Sequence, residues 1–168
     1  MIALSALIVL LDLYTTTSAS TTGRASVIDG DTLEIGGQRF RLWGIDAPES
    51  RQACTRNGVA WRCGQQAALN LDALIGDAPV TCEVRGRPDR YRRIVAVCWS
   101  PPARCAASYP CEASRRNLGA MQVAMGFALD WPHYSQGAYA GRQKEAQDSR
   151  LGIWSGEFQI PWEWRARR

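Results

Sequence analysis

Short runs of alternating apolar and polar residues recur through the first two thirds of the chain. Arg24–Ile28, Thr32–Ile35, Arg39–Trp43, Val80–Arg85 and Ile94–Trp99 each predict a strand. Gly36-Gly37 between the second and third is a two-residue hairpin turn, and Gly86-Arg87-Pro88-Asp89 is turn chemistry between the fourth and fifth. The spacing changes over Gly64–Ile75, where Ala67, Leu71, Leu74 and Ile75 fall on one helical face and Gly76 supplies a stop. Asn117 is placed to cap a second helix, with Leu118, Met121 and Met125 on its buried face and Gly126 as its stop. A third helix is expected from a Ser135 cap to Leu151, polar on most sides and resting on the rest through Tyr139, Ala146 and Leu151. Ala47–Cys63 and the proline-containing Ser100–Glu112 have no period and read as loops.

The order is three strands, a helix, two strands and two helices. Five strands left flat would expose both edges, so closure into a small barrel is the natural solution. The tail from Ile153 carries Trp154, Phe158, Trp162 and Trp164, too aromatic to stay off the core.

The chain has 168 residues, a length that favours one domain. Its start changes the picture. Residues 2–11 form an apolar run, closed by Asp12 and followed by small polar residues up to Gly23. That run is short for a membrane span and fits the core of an export signal, with Ala19 a plausible cleavage residue, although no Lys or Arg precedes it. The expected division is therefore a leader over 1–19 and a single domain over 20–168. An uncleaved anchor is the alternative. Either way the protein is expected to be exported to the periplasm or beyond.

Six cysteines support that reading, because disulfides belong to oxidising compartments. Cys54 with Cys63, Cys82 with Cys98 (facing each other across a hairpin) and Cys105 with Cys111 are the locally favoured pairs among the fifteen possible. A zinc site is disfavoured, since no CxxC occurs and His133 is the only histidine.

The net charge is +4, and every basic residue but Lys144 is arginine. Arginine matches phosphate oxygens two at a time; a genome-wide preference for arginine codons would produce the same count. Position carries more than number. Asp31 and Asp46 flank the Gly36-Gly37 hairpin and can converge, and two adjacent carboxylates need a positive charge between them, which a hard cation with oxygen ligands supplies. Arg41 sits mid-strand on the face opposite Phe40 and Leu42, either solvated or aimed into a site. Glu49, stiffened by Pro48, can take a proton from water. Asp89-Arg90-Tyr91-Arg92-Arg93 interleaves bases with an aromatic, a pattern suited to phosphates and nucleobases. Each feature alone also has an ordinary explanation as turn or surface composition.

Together, Val27–Glu49, Asp89–Arg93 and the late Glu145-Ala146-Gln147 to Ile153-Trp154 resemble the staphylococcal nuclease (thermonuclease-like) family, over about residues 24–156. The resemblance implies an α+β, mainly β fold: a five-stranded OB-type barrel with three helices, here stapled by disulfides. It implies a calcium-dependent nuclease that hydrolyses phosphodiesters in DNA or RNA to 3′-phosphates. Asp31, Asp46 and the Ala47 carbonyl match the calcium ligands. Arg41 and Arg93 match the catalytic arginines and Glu49 the catalytic glutamate. Arg90 and Tyr91 match nucleotide contacts, and Tyr134 or Trp131 is expected to stack on a base. Single-stranded substrate is favoured, with no protein partner indicated and a monomer expected. Arg92 departs from the family's glycine; if that position needs a positive φ, arginine costs about 1 kcal/mol there. The alternative function is an OB-fold module that binds single strands without cleaving them.

Overall fold

The computed structural model describes residues 19–101 and 115–167. The expected leader up to residue 18, and Cys105 with Cys111, lie outside the described residues.

In chain order the strands begin with β1 (Ser20–Gly23), β2 (Ala25–Asp29), β3 (Thr32–Ile35), β4 (Gln38–Leu42) and β5 (Ile45–Asp46). A small hairpin follows, β6 (Cys54–Arg56) and β7 (Val59–Trp61), then helix α1 (Cys63–Ile75). Next come β8 (Val80–Val84), β9 (Ile94–Ser100), β10 (Arg116–Asn117), α2 (Leu118–Ala124) and β11 (Leu129–Asp130). Three more helices close the chain: α3 (Pro132–Ser135), α4 (Ala140–Asp148) and α5 (Pro161–Ala166).

The main sheet runs β1-β8-β9-β4-β3-β2, and β1 and β2 are separated by Arg24 alone. One bent strand thus pairs with β8 through its first half and with β3 through its second, so the sheet returns on itself. Counted that way the barrel has the five strands expected. All neighbours are antiparallel except β4 and β9, which are parallel with Arg41 opposite Val95. That pairing carries the Asp89–Arg93 turn to the same end of the barrel as Arg41.

The core is Leu33, Phe40 and Leu42 from the hairpin, Val80 and Ala96 from the opposite strands, and Ala67 and Leu71 from α1. The Cys82–Cys98 disulfide lies within it, at the paired positions of β8 and β9. Cys54–Cys63 joins β6 to the start of α1. A second apolar cluster gathers Cys54, Cys63, Leu129 and Ile153 with Trp61, Trp154, Phe158, Ile160 and Trp162, so the aromatic tail packs on the fold as expected.

Among the described residues five helices stand where three were expected and the short strands β1, β5, β10 and β11 are added; three further departures bear on the site. The supposed loop Ala47–Cys63 contains the β6–β7 hairpin, whose turn Asn57-Gly58 has positive φ at both residues (50° and 76°); Asn-Gly is the preferred pair for such a turn. The third helix does not start at Ser135. Pro132–Ser135 forms its own short helix, ended by Gln136 at φ 54°, and the long one spans Ala140–Asp148. The tail ends in α5, opened by Pro161 at its first position. The cap at Asn117, which accepts from the Ala120 N–H, and the stop at Gly126 (φ 73°) stand as expected. Among the described residues no helix is long and apolar enough to cross a membrane.

Candidate active site

A β-bulge starts the site. The β2–β3 register slips between Val27 and Asp29, leaving Ile28 as the extra residue. A bulge bends its strand and re-aims the residues beyond it; here those residues are the turn Asp29-Gly30-Asp31. A Cβ at Gly30 would stand 2.6 Å from the Ala67 Cβ and 2.7 Å from that of Ala47, so only glycine lets the turn sit between α1 and the strand exit. Asp31 Oδ2 then accepts from the Ala47 N–H at 3.0 Å, and Oδ1 from the Thr32 hydroxyl at 3.0 Å.

Arg41 projects from the middle of β4 and is 9% exposed. One guanidinium nitrogen pairs with Asp31, and the other with Asp46 Oδ1 at 2.6 Å and the Ile45 carbonyl at 3.2 Å. Asp46 is fully buried at the end of β5, which pairs with β11. The two carboxylates converge around one arginine.

Their electrostatics stem from burial and charge. Burial pushes the Asp31 carboxyl up most strongly, but the charge of Arg41 and the hydrogen bonds from Asp29, the Ala47 N–H and Arg41 together outweigh it and hold Asp31 below the usual value. Burial and the charge of Asp31 raise Asp46, against Arg41 and Arg165. Asp29, by burial and then by repulsion from Asp31, is pushed up to about 7. Its Oδ1 also accepts from the Asp31 N–H at 3.1 Å. Burial opposes the charge on Arg41, yet Asp31 and Asp46 hold it protonated more firmly than a free arginine.

Glu49 is placed by backbone contacts. A Cβ at Gly64 would lie 1.7 Å from the Glu49 carbonyl oxygen, so the loop lies directly against the start of α1. The side chain of Gln52 accepts from the Glu49 N–H at 3.2 Å and donates to the Gln159 carbonyl at 2.6 Å, tying this loop to the tail.

Arg93 enters from the turn before β9. It donates to Asp89 Oδ2 at 2.7 Å and to the Thr32 hydroxyl at 2.9 Å, and Thr32 in turn donates to Asp31. Arg92 has φ 63°, so the left-handed conformation is kept without glycine and Arg93 still reaches the site. The hydrogen bonds and charge of Arg93 hold the Asp89 carboxyl low despite its partial burial. Arg90 donates to the Tyr91 hydroxyl at 2.7 Å, and Tyr91 is 62% exposed. Tyr134, 53% exposed, meets Trp131 edge to face at 4.6 Å.

All ten residues singled out in the sequence, Trp131 included, lie at this centre: Asp46 behind Arg41, the other nine lining one cleft of about 860 Å³. Three more were missed. Asp29 lies in an Asp-Gly turn whose composition does not single it out. Trp162 stacks on Trp131 with centroids 5.6 Å apart and planes 7° from parallel. Arg165 grips Asp46 with both nitrogens (2.9 and 3.0 Å) and Glu49 with one (2.7 Å). Nothing in the local pattern of the tail signals that reach.

The donor set suits a hard cation. Asp29, Asp31, Asp46 and Glu49 offer carboxylate oxygens near Arg41 and Arg165, while Arg93 is matched by Asp89. Burial first, and then the charge of Asp31, raises the Asp29 carboxyl among them. Among the described residues no three His, Cys, Asp or Glu side chains form a metal cluster by themselves. A cation here would therefore draw on two carboxylates, backbone and water.

Comparison with known proteins gives the same direction. The chain is 37% identical over 137 residues to the succinoglycan biosynthesis protein ExoI of Rhizobium meliloti (strain 1021), covering 80% of this chain and 65% of that protein. It is 32% identical over 148 residues to a micrococcal nuclease of Shigella flexneri, covering 83% of this chain and 76% of the relative. Protein ParB of Escherichia coli is 32% identical over 149 residues, covering 83% and 75%. Residues 39–156, from β4 through the 3-10 turn at Gly152–Ser155, match the model of the staphylococcal nuclease homologues, and the chain belongs to that family.

Proposed function

We propose that this protein is an exported, calcium-dependent nuclease that hydrolyses phosphodiester bonds in DNA or RNA, preferring single strands and leaving 3′-phosphates. The observation that carries the reading is the convergence of Asp31, Arg41, Asp46, Glu49 and Arg93, from four separate segments, on one end of the barrel. Membership of a nuclease family, with a micrococcal nuclease among the relatives, supports it.

Asp31 and Asp46 are the residues to hold the cation, with the Ala47 carbonyl beside them. When bound, calcium supplies positive charge to a phosphate oxygen and so favours attack at phosphorus. Arg41 binds the phosphate. Arg93 stabilises the added charge of the five-coordinate transition state and of the leaving 5′-oxygen. Glu49 orients the attacking water and accepts its proton; the P–O5′ bond breaks as the new P–O bond forms, the leaving 5′-oxygen takes a proton from solvent and Glu49 returns its own to solvent, leaving a 3′-phosphate and a 5′-hydroxyl. Tyr91, Tyr134 and Arg90 line the way in and offer stacking and charge, a grip on phosphate and base faces that carries little sequence information.

The test is cleavage of single-stranded DNA and RNA by the purified chain, with calcium and with a chelator. Loss on chelation and in Arg41→Ala supports the reading. Cleavage that survives either overturns the mechanism, and tight binding without cleavage establishes the binding module instead.

A further inference from the structure

The family match ends at residue 156, and the cation that holds Glu49 comes from beyond it. Helix α5 lies over the cleft, held by the stack of Trp162 on Trp131, by the Gln52 bridge to the Gln159 carbonyl and by Ile160 in the second apolar cluster. Its Arg165 is aimed inward. One nitrogen joins Asp46 Oδ1 to Glu49 Oε1, and the other takes Asp46 Oδ2. The guanidinium carbon lies 5.6 Å from the centroid of Trp131, whose ring also faces Arg41 at 6.0 Å. Burial works against this charge, but Asp46 and Glu49 more than compensate and keep it firmly protonated.

Glu49 is about one third exposed, and Arg165 is the side chain that fixes its carboxylate. Asp46 has both oxygens engaged by arginine, Oδ1 twice over. A divalent cation that takes Asp46 must draw an oxygen away from Arg165.

We propose that Arg165 is a positioning residue of this site: a third guanidinium, delivered by the C-terminal helix, that orients Glu49 toward the attacking water and competes with the divalent cation for Asp46. The inference rests on the nuclease reading given above. It makes the C-terminal helix part of the active site and sets metal affinity against the orientation of the base. A planar fork suits both tasks, because it bridges two carboxylates at fixed geometry where an ammonium would hold one.

The experiment uses the full chain and two variants, Arg165→Ala and Arg165→Lys. Calcium binding is measured by calorimetry without substrate, and kcat and KM on single-stranded DNA are measured separately. Removing a positive charge from beside Asp46 should tighten calcium binding about ten-fold in Arg165→Ala. The loss of a fixed Glu49 should lower kcat about 10- to 100-fold with KM changed little. Arg165→Lys keeps the charge and loses the fork, so its calcium affinity should stay near that of the wild type while kcat still falls. A merely structural role would move neither affinity nor the kcat-to-KM split in this pattern. Arg165→Ala or Arg165→Lys with wild-type calcium affinity and kcat overturns the proposal, as does a wild type that binds no calcium. A wild type that binds calcium more weakly than Arg165→Ala but cleaves nothing defeats the nuclease reading and leaves the competition for Asp46 standing.

Discussion

Arg41→Ala removes the cation that Asp31 and Asp46 share in a site that water barely reaches. Arg165 still covers Asp46, so Asp31 is the carboxylate left stranded. Breaking a buried pair from one side costs about 3–5 kcal/mol, because an uncompensated charge remains in low dielectric. In a domain of this size that lowers the melting midpoint by roughly 6–20 °C in chelator at pH 7. The sign with pH is fixed by Asp31. In the wild type Arg41, with the hydrogen bonds from Asp29 and the Ala47 N–H, overrides burial and holds its carboxyl low, so this stability is present above the unfolded value of about 4 and is lost only as pH falls through the lower folded value. In the variant burial dominates and Asp31 takes up a proton readily. The deficit should therefore be large at neutral pH and shrink towards pH 4. Calcium should return part of it, since a ligand at a hundred times its dissociation constant adds about 2.7 kcal/mol to the folded state. The assay is thermal unfolding tracked by circular dichroism, with and without calcium, against Arg51→Ala on the exposed surface as a control. An Arg41→Ala protein no less stable than that control, or a deficit that stays constant from pH 7 to pH 4, refutes the argument that these charges are buried and coupled.

Glu49→Gln should lower kcat on single-stranded DNA by about 100-fold or more, the usual contribution of a placed general base; initial rates within about three-fold of wild type would remove Glu49 from the chemistry. Asp29, with its carboxyl pushed up to about 7, holds a proton in the folded protein that the unfolded chain releases above about pH 4, so its contribution to stability falls as pH rises between those values. Asp29→Asn stays neutral at every pH, and in chelator its melting midpoint should decline less than the wild type's from pH 5 to pH 8; parallel curves would count against the raised value. The Cys82–Cys98 bridge closes a sequence separation of 16 inside the core. Its removal in Cys82→Ala/Cys98→Ala should cost about 3 kcal/mol by loop closure alone, read as a denaturation midpoint, and an unchanged midpoint would mean that packing alone holds the hairpin.

The chain declares in its sequence the features that its local patterns control. The Gly36-Gly37 turn and the alternation on either side set the β3–β4 register, which places Thr32 opposite Arg41 and so fixes the relation of Asp31 to that arginine. Asn117 and Gly126 bound α2 because capping is a matter of one or two residues. The Asn57-Gly58 hairpin carried the same kind of signal, hidden by a polar stretch that also reads as loop. Arg165 had no such signal. It lies 119 residues from Asp46, on a six-residue helix whose aromatic content explains packing and says nothing of direction. The stack of Trp162 on Trp131, the register of β5 with β11 that brings Trp131 beside the site, and the anchoring of Gln159 and Ile160 determine where its guanidinium goes.

The same burial that makes Arg41 necessary also makes the site receptive to a cation. Arg41 and Arg165 between them face Asp31, Asp46 and Glu49, and Asp29 adds a carboxyl that burial, and then Asp31, pushes up to about 7. If Asp31 and Asp46 held a divalent ion, its charge would favour the ionised form of Asp29 and weaken the hold of both arginines on their carboxylates. A guanidinium so loosened has its next favourable partner in the phosphate of an incoming strand. On the proposed function, metal, arginine and phosphate would then exchange partners without leaving a buried charge alone, which is the condition that low dielectric imposes on any chemistry done there. Helix α5 adds one more member to that exchange, and its Arg165 is the member the rest of the barrel does not supply.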